Sequence, residues 1–258
     1  MIWQFSNTHS YLLGSVHLLS ESGNAHLDVI DEVYATVENV VFEASLYFEE
    51  IPIRFYEKGK LSSNISKSLF RDAKKEWQKH KLDYSEFVKS KIWNATNSIA
   101  VAILNKAGFF PEYGIDRNMW DRSCADRKNI EWLESQSAVF ACFDNAPIEE
   151  QINGLIKTVR DKKSVIEQMV DIAEGWKECD EERLSKVLQS CLNEYPVMFN
   201  DLINKRNSIW ADKFISIIES KVPTLFVVGA LHCVGSCSIQ SILNGKYGYG
   251  SMLFNSPV

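Results

Sequence analysis

The chain has 258 residues, a formal net charge of −6, 45% hydrophobic residues and 24% charged residues. This apolar content can offset the entropy of folding, which excludes disorder as a description of the whole chain. The acidic balance argues against bulk nucleic-acid binding, which needs a basic face. No apolar run approaches the roughly 18–20 residues of a membrane span. The first residues, MIWQFS, lack the pattern of a signal peptide. We therefore expect a cytoplasmic protein, with a trimmed export signal left open.

The N-terminal part of the chain is predicted to contain a hairpin, a helix and a buried strand. Short apolar runs at 3–5 and 10–13 flank a polar turn and predict the hairpin. Asn24 can cap a helix whose apolar residues recur at spacings of three and four. The β-branched and aromatic run at 40–42 predicts a buried strand that ends at Glu43.

The composition changes in the middle of the chain. From about 47 to 110, Lys and Glu are dense and helical periodicity predominates, which predicts a helical insertion. Pro and Gly at 111–114 break it, and 116–126 is again predicted to be helical. The run IEWL at 130–133 predicts a second short strand, which ends at Glu134.

The last part repeats this alternation. A second helical insertion is predicted from about 145 to 220, with a break near Gly175. The run at 224–228 is the most strand-like of the sequence, a helix begins at 238–243, and 249–254 is a last strand candidate.

The alternation of helices with short, continuously apolar strands indicates the fold class. It is typical of an α/β protein with a central mixed, largely parallel sheet flanked by helices. We expect residues 1–258 to form a single domain that carries the two helical insertions.

Polar side chains follow four of the predicted strands. Two G-x-x-H sequences place His17 and His232 after strands, and two other strands end at Glu43 and Glu134. Ligands of open α/β sheets bind beyond the carboxyl ends of the strands. Imidazole and carboxylate groups are ligands of divalent transition metals and can also activate water as general bases. A purely structural role for each residue remains open, but the matching positions favour a site.

Arg206 lies on the apolar face of a predicted helix. An inward guanidinium needs an anionic partner, and Glu43, Glu134 and Asp116 are the candidates. Arg206 could have a structural role, as one partner of an ion pair or as a snorkelling side chain. Alternatively, it could orient a carboxylate or stabilise an oxyanion. Asn207 could donate a hydrogen bond into the same site. These five residues are our candidate catalytic residues.

Six short segments resemble, in the same order, those of the TraB/GumN family. This family is related to the Tiki proteins and, more remotely, to the erythromycin esterase and ChaN groups. The segments are LLGSVH at 12–17, VFEA at 41–44, YGID at 113–116, KNIEWLE at 128–134, RN at 206–207 and VVGALH at 227–232. Together they span nearly the whole chain, whereas the two insertions carry only helical character.

The resemblance implies a metal-dependent hydrolase, most closely a peptidase. His17, His232 and Glu43 would hold a divalent ion such as Mn²⁺, Co²⁺ or Zn²⁺, with Arg206 and Asn207 as the family's Arg-Asn pair. Glu43 would be a ligand or the general base for water, and the substrate a peptide or a small amide or ester. Two alternatives stay open. One is a protein that binds and sequesters a peptide without cleaving it. The other is a metal-independent esterase with His17 as general base.

Overall fold

The computed structural model describes residues 1–23, 27–45 and 52–254. These residues form a six-stranded sheet in the order β4-β3-β5-β2-β1-β6, with helices on its faces. The pairs β2–β5, β5–β3 and β3–β4 are parallel, whereas β1 is antiparallel to both β2 and β6. The predicted α/β class, with a mixed and largely parallel sheet, is confirmed.

The bounds of the elements are as follows. The strands are β1 (Ile2–Phe5), β2 (Tyr11–Ser15), β3 (Asn39–Phe42), β4 (Asn129–Trp132), β5 (Thr224–Gly229) and β6 (Ser251–Leu253). The helices are α1 (Leu27–Thr36), α2 (Lys67–Lys79), α3 (Tyr84–Lys89), α4 (Ile92–Lys106), α5 (Ile115–Ala125), α6 (Gln136–Asp144), α7 (Ile148–Arg160), α8 (Lys162–Lys177), α9 (Glu181–Glu194), α10 (Pro196–Phe199), α11 (Arg206–Glu219) and α12 (Ile239–Tyr247).

The parallel strands bring four carboxyl ends together at one edge. In the register of β2 and β5, Ser15 lies beside Gly229, and Phe42 of β3 lies beside Val227 of β5. Phe42 in turn pairs with Trp132 of β4. The four strand ends that carry the predicted site residues are therefore consecutive across the sheet.

The helices between the strands build two apolar clusters. The larger cluster surrounds the sheet, with Leu12, Val40 and Val228 fully buried. The second lies among α2, α3, α4 and α7, around Trp77 and Phe87.

The predicted helix cap Asn24 and the start of the first insertion near residue 47 lie outside the described residues. The assignment of residues 1–258 to one domain stays a prediction.

One predicted helix break is wrong. Gly175 lies inside α8, which continues to Lys177. A side chain at Gly175 would begin 3.1 Å from Leu184 of α9, so the glycine lets the two helices approach closely. This packing outweighs the cost of roughly 1 kcal/mol that glycine carries inside a helix.

In the described parts of the chain, no helix is both long and apolar enough to cross a membrane.

Candidate functional site

Two glycines set the position of His17. A side chain at Gly14 in β2 would begin 3.3 Å from the Cα of Ala230, so glycine permits the turn after β5 to pack against β2. A side chain at Gly114 would begin 2.4 Å from the main-chain oxygen of His17. Gly114 immediately precedes α5, so this close approach brings the first turn of α5 beside His17.

The first turn of α5 supplies Asp116, which pairs with His17. Oδ2 of Asp116 lies 2.8 Å from Nδ1 of His17. The Asp116 carboxylate raises the pKa of His17 to about 9, against the opposing effect of desolvation. The imidazole is 63% exposed; the carboxylate holds its Nδ1, and its Nε2 lies on the side of Gly229.

His232 is the buried counterpart of His17. It lies in the 3₁₀ turn Ala230–Cys233 after β5, and its Nδ1 lies 2.6 Å from Oδ1 of Asn207. The amide nitrogen of Asn207 donates to the main-chain oxygens of His232 and Cys237, at 3.1 and 2.8 Å. Oδ1 of Asn207 is therefore an acceptor, which assigns the proton to Nδ1 and the lone pair to Nε2. Burial and then Arg206 lower the pKa of His232 to about 3, so the ring is neutral.

Arg206 connects the buried polar groups. It follows a six-residue π-helical segment (Asn200–Lys205) and opens α11. Its Nε donates to Glu134 at 2.6 Å and its Nη2 to Glu43 at 2.5 Å. Its Nη1 donates to the main-chain oxygen of Leu202 at 2.9 Å and lies 3.2 Å from Nε2 of His232. The guanidinium thus pairs with two carboxylates, and this attraction offsets the free-energy cost of burying its charge.

Glu43 is the central carboxylate. Its Oε1 accepts from the main-chain nitrogen of Gly229 at 2.6 Å, while Oε2 accepts from Arg206. Burial alone would raise the pKa of Glu43. The neighbouring His232, Arg206 and His17, with the hydrogen bond from Gly229, instead lower that pKa to about 2. Glu43 is therefore ionised at neutral pH.

The three candidate metal ligands meet around Gly229. The point where a side chain of Gly229 would begin is 3.2 Å from Oε1 of Glu43 and 3.8 Å from Nε2 of His17. It is 3.7 Å from Cδ2 of His232. Glycine at the end of β5 thus keeps open a space that any other residue would fill.

A cleft of about 230 Å³ opens beside these groups. Its lining includes Ser15, His17, Glu43 and Asp116, together with apolar side chains from β3, β5 and α6. His17, Glu43 and Asp116 therefore face a partly apolar recess.

The structure brings together all the candidate site residues named from the sequence, with one unexpected pairing, that of Asp116. Asp116 pairs with His17, whereas Glu43 and Glu134 are the partners of Arg206. The Asn207 amide hydrogens go to main-chain carbonyls instead of into the cleft.

Two features were missed. The π-helical segment before Arg206 has no compositional signal in the sequence. Ser15 lies inside the first G-x-x-H sequence, two residues before His17, and this spacing could have indicated that it lines the site.

The donor groups fit a divalent ion in chemistry. Among residues 1–23, 27–45 and 52–254, no three His, Cys, Asp or Glu side chains are already spaced as the ligands of an ion. Each histidine nevertheless has Nδ1 held by an oxygen, from Asp116 or Asn207, which is how metal-binding histidines are commonly oriented. The ionised carboxylate of Glu43 lies beside the same space at Gly229.

Comparison with known protein families identifies the family of the chain. A model of the TraB/PrgY/gumN family matches residues 1–248. The chain belongs to this family. The match covers both G-x-x-H sequences and the Arg206-Asn207 pair, and so includes every residue of the site described above. Searches of curated proteins and of solved structures gave no match for this TraB/PrgY/gumN chain.

Proposed function

We propose that this TraB/PrgY/gumN protein is a metal-dependent hydrolase that adds water to a peptide bond. One observation carries the proposal: His17, Glu43 and His232 surround the space beside Gly229, and both histidines are oriented through Nδ1. Two imidazoles and one carboxylate leave coordination positions open for water and substrate, as catalytic metal sites require.

The proposed ligands are Nε2 of His17, Nε2 of His232 and Glu43, and the proposed ion is Mn²⁺, Co²⁺ or Zn²⁺. Nε2 of His232 would have to exchange its contact with Nη1 of Arg206 for the ion. When bound, such an ion lowers the pKa of a coordinated water and polarises the scissile carbonyl. His17 must first lose the proton that Asp116 favours, because metal ligands bind in their deprotonated forms.

The remaining residues hold these groups in place. Arg206 binds Oε2 of Glu43 and the main-chain nitrogen of Gly229 binds Oε1, so the carboxylate is fixed beside the space as the proposed ligand or general base. Glu134 neutralises the other edge of the guanidinium. Asn207 fixes the tautomer of His232, and Asp116 fixes the ring of His17. We therefore propose that Asn207 and Asp116 are positioning residues.

A metal-independent esterase with His17 as general base has less support. Asp116 raises the pKa of His17 to about 9, so in the metal-free protein the ring carries a proton at neutral pH. A general base works best with a pKa near the operating pH and must be unprotonated. Peptide binding without cleavage uses the same cleft and is distinguished by experiment.

The test combines elemental analysis with peptide hydrolysis. Protein purified without chelator or affinity metal, and then incubated with Mn²⁺, Co²⁺ or Zn²⁺, is expected to retain about one ion per chain. His17→Ala and His232→Gln should each lose the ion, whereas His9→Ala, in the exposed hairpin turn, should retain it. Mass spectrometry of a peptide mixture is expected to show new termini that EDTA abolishes.

The outcomes separate the three functions. Retained ion and new termini support the proposal. Intact peptide that co-purifies with the protein would indicate a binding protein, and cleavage that survives EDTA and the loss of metal would indicate the esterase mechanism. Thermal unfolding of each variant shows whether a loss of metal reflects the site or the fold.

A further inference from the structure

The cleft beside His17 contains a buried hydroxyl without a partner. Ser15 is 2% exposed, and within the described ranges its Oγ has no hydrogen-bond partner. Buried polar groups are almost always hydrogen-bonded, because an unsatisfied one keeps the full cost of its desolvation. Ser15 lines the cleft, so a ligand bound there would be close enough to form a hydrogen bond with its hydroxyl.

A second unsatisfied oxygen lies in the same cleft. Oδ2 of Asp116 is taken by His17, while its Oδ1 is shielded from solvent and meets no donor in the described part of the chain. An ionised carboxylate only accepts hydrogen bonds, whereas a hydroxyl both donates and accepts. A peptide group offers one N–H donor, which Oδ1 of Asp116 can accept, and one carbonyl acceptor, to which the Ser15 hydroxyl can donate.

The rest of the cleft is apolar. Phe42 and Val227 line it from the sheet, and Val139 and Phe140 line it from α6. The ring of Phe140 stacks on Trp93, with the ring centroids 5.4 Å apart, which holds the α6 side of the wall. The volume of about 230 Å³ is below the roughly 300 Å³ at which pockets enclose whole small ligands. The cleft therefore suits one side chain and the main chain next to it.

We propose that this cleft is a substrate subsite for an apolar side chain of a peptide, with Ser15 Oγ and Asp116 Oδ1 binding the adjoining main-chain amide. The assignment rests on the proposed function for its place beside the reacting bond, but binding at the subsite is measurable without turnover. The substrate class is thus a peptide with an apolar residue next to the bond that is cleaved.

The binding test uses metal-free wild-type protein and four blocked peptides, Ac-Gly-Ala-Xaa-Ala-Gly-NH₂, in which Xaa is Leu, Phe, Asp or Lys. Affinities come from protein-observed NMR titrations. The Leu and Phe peptides are expected to bind at least about tenfold more tightly than the charged ones, because only they bury apolar area against α6. Equal binding of all four, or no binding, overturns the subsite.

Two variants test the named residues, each with a matched control. Ser15→Ala should weaken binding of the Leu peptide about fivefold, the effect of one hydrogen bond, without lowering the unfolding temperature. Ser123→Ala is the control, because its buried hydroxyl already donates to Met119 and its loss should lower the unfolding temperature with unchanged binding. Val139→Lys should favour the Asp peptide, whereas Val101→Lys, on the exposed face of α4, should not.

The results distinguish a wrong assignment of the subsite from a wrong assignment of the hydrolase activity. If Ser15→Ala binds the Leu peptide as wild type does, or lowers the unfolding temperature as Ser123→Ala does, the role of Ser15 is wrong. Selective binding without metal-dependent cleavage would retain the subsite and reject the hydrolase. Metal-dependent cleavage with no preference for apolar residues would retain the hydrolase and reject the subsite.

Discussion

Asn207 holds His232 at both its ring and its main chain. Oδ1 of Asn207 lies 2.6 Å from Nδ1 of the ring, and its amide nitrogen donates to the main-chain oxygen of the same histidine at 3.1 Å. One buried side chain therefore fixes the tautomer, the ring plane and the backbone turn of His232. The site depends on this residue for geometry, although Asn207 does not line the cleft.

Replacing Asn207 should affect both stability and metal binding. Asn207→Ala removes contacts to His232 and Cys237 and leaves buried polar atoms unsatisfied, so we expect a loss of about 2–3 kcal/mol in the free energy of unfolding. Metal affinity should fall by about 10- to 100-fold, as for other residues that orient a ligand. Urea denaturation and metal titration measure the two effects. Asn204→Ala, which loses a partly buried contact to Asn200, should change neither by as much.

The buried ion pairs of Arg206 predict a large effect of its removal. Arg206→Met leaves Glu43 and Glu134 without their cation, and the free energy of unfolding should fall by about 3–5 kcal/mol. Arg206→Lys keeps the charge but lacks the planar fork that spans both carboxylates, so its loss should be smaller yet clear.

The control for Arg206 is an exposed ion pair. Arg117 pairs with Asp121 on the surface of α5, and Arg117→Met should cost no more than about 1 kcal/mol. Urea denaturation of the four proteins measures all these values. Equal losses for Arg206→Met and Arg117→Met would show that the buried pairs do not stabilise the fold.

The pairing of His17 with Asp116 predicts a pH dependence in the metal-free protein. The folded-state pKa of His17, about 9, lies above its ordinary value of 6.5. The protonated ring therefore stabilises the fold fully below pH 6.5, and this stabilisation is lost as the pH rises toward 9. Asp116→Asn should remove that dependence and return the pKa of His17 toward 6.5.

Nitrogen NMR of the imidazole rings in EDTA follows these changes directly. His17 should be protonated at pH 7.5, while His232 should remain neutral down to about pH 3. Asp121→Asn, further along α5, should leave the titration of His17 unchanged. A wild-type His17 that titrates near 6.5 would contradict the role given to Asp116.

Gly114 should tolerate no side chain. In Gly114→Ala the new Cβ would begin 2.4 Å from the main-chain oxygen of His17, and backbone atoms cannot yield as a flexible side chain can. We expect a loss of about 1–3 kcal/mol in the free energy of unfolding and a shifted His17 resonance. Gly245→Ala in α12 meets no atom within 4 Å and should stabilise the protein by about 0.5–1 kcal/mol. Thermal unfolding and NMR spectra of both variants provide the measurement.

The strand ends of the site could be predicted because apolar runs and parallel pairing have strong sequence signals. His17, Glu43, Glu134 and His232 each follow such a run, and parallel strands place these ends at one edge. The inward Arg206 also predicted that a carboxylate would be nearby, since a buried cation needs one.

Which carboxylate binds which cation could not be predicted. Asp116, Glu43 and Glu134 offer the same chemistry, and only the packing of α5 assigns Asp116 to His17. The continuation of α8 through Gly175 likewise depends on its contact with α9, which the local sequence does not reveal. These choices are made by tertiary packing, not by residue type.

The π-helical segment Asn200–Lys205 makes the spacing of the chain matter as much as its chemistry. An α-helix rotates by roughly 100° at each residue, whereas a π-helical turn accommodates one extra residue. Deleting a single residue from this segment would return it to ordinary α-helical spacing, and the helices on either side would keep their faces. The same deletion inside α11 would rotate every following residue by about that angle. A one-residue deletion within 200–205 should therefore be tolerated better than a one-residue deletion within α11 after Arg206.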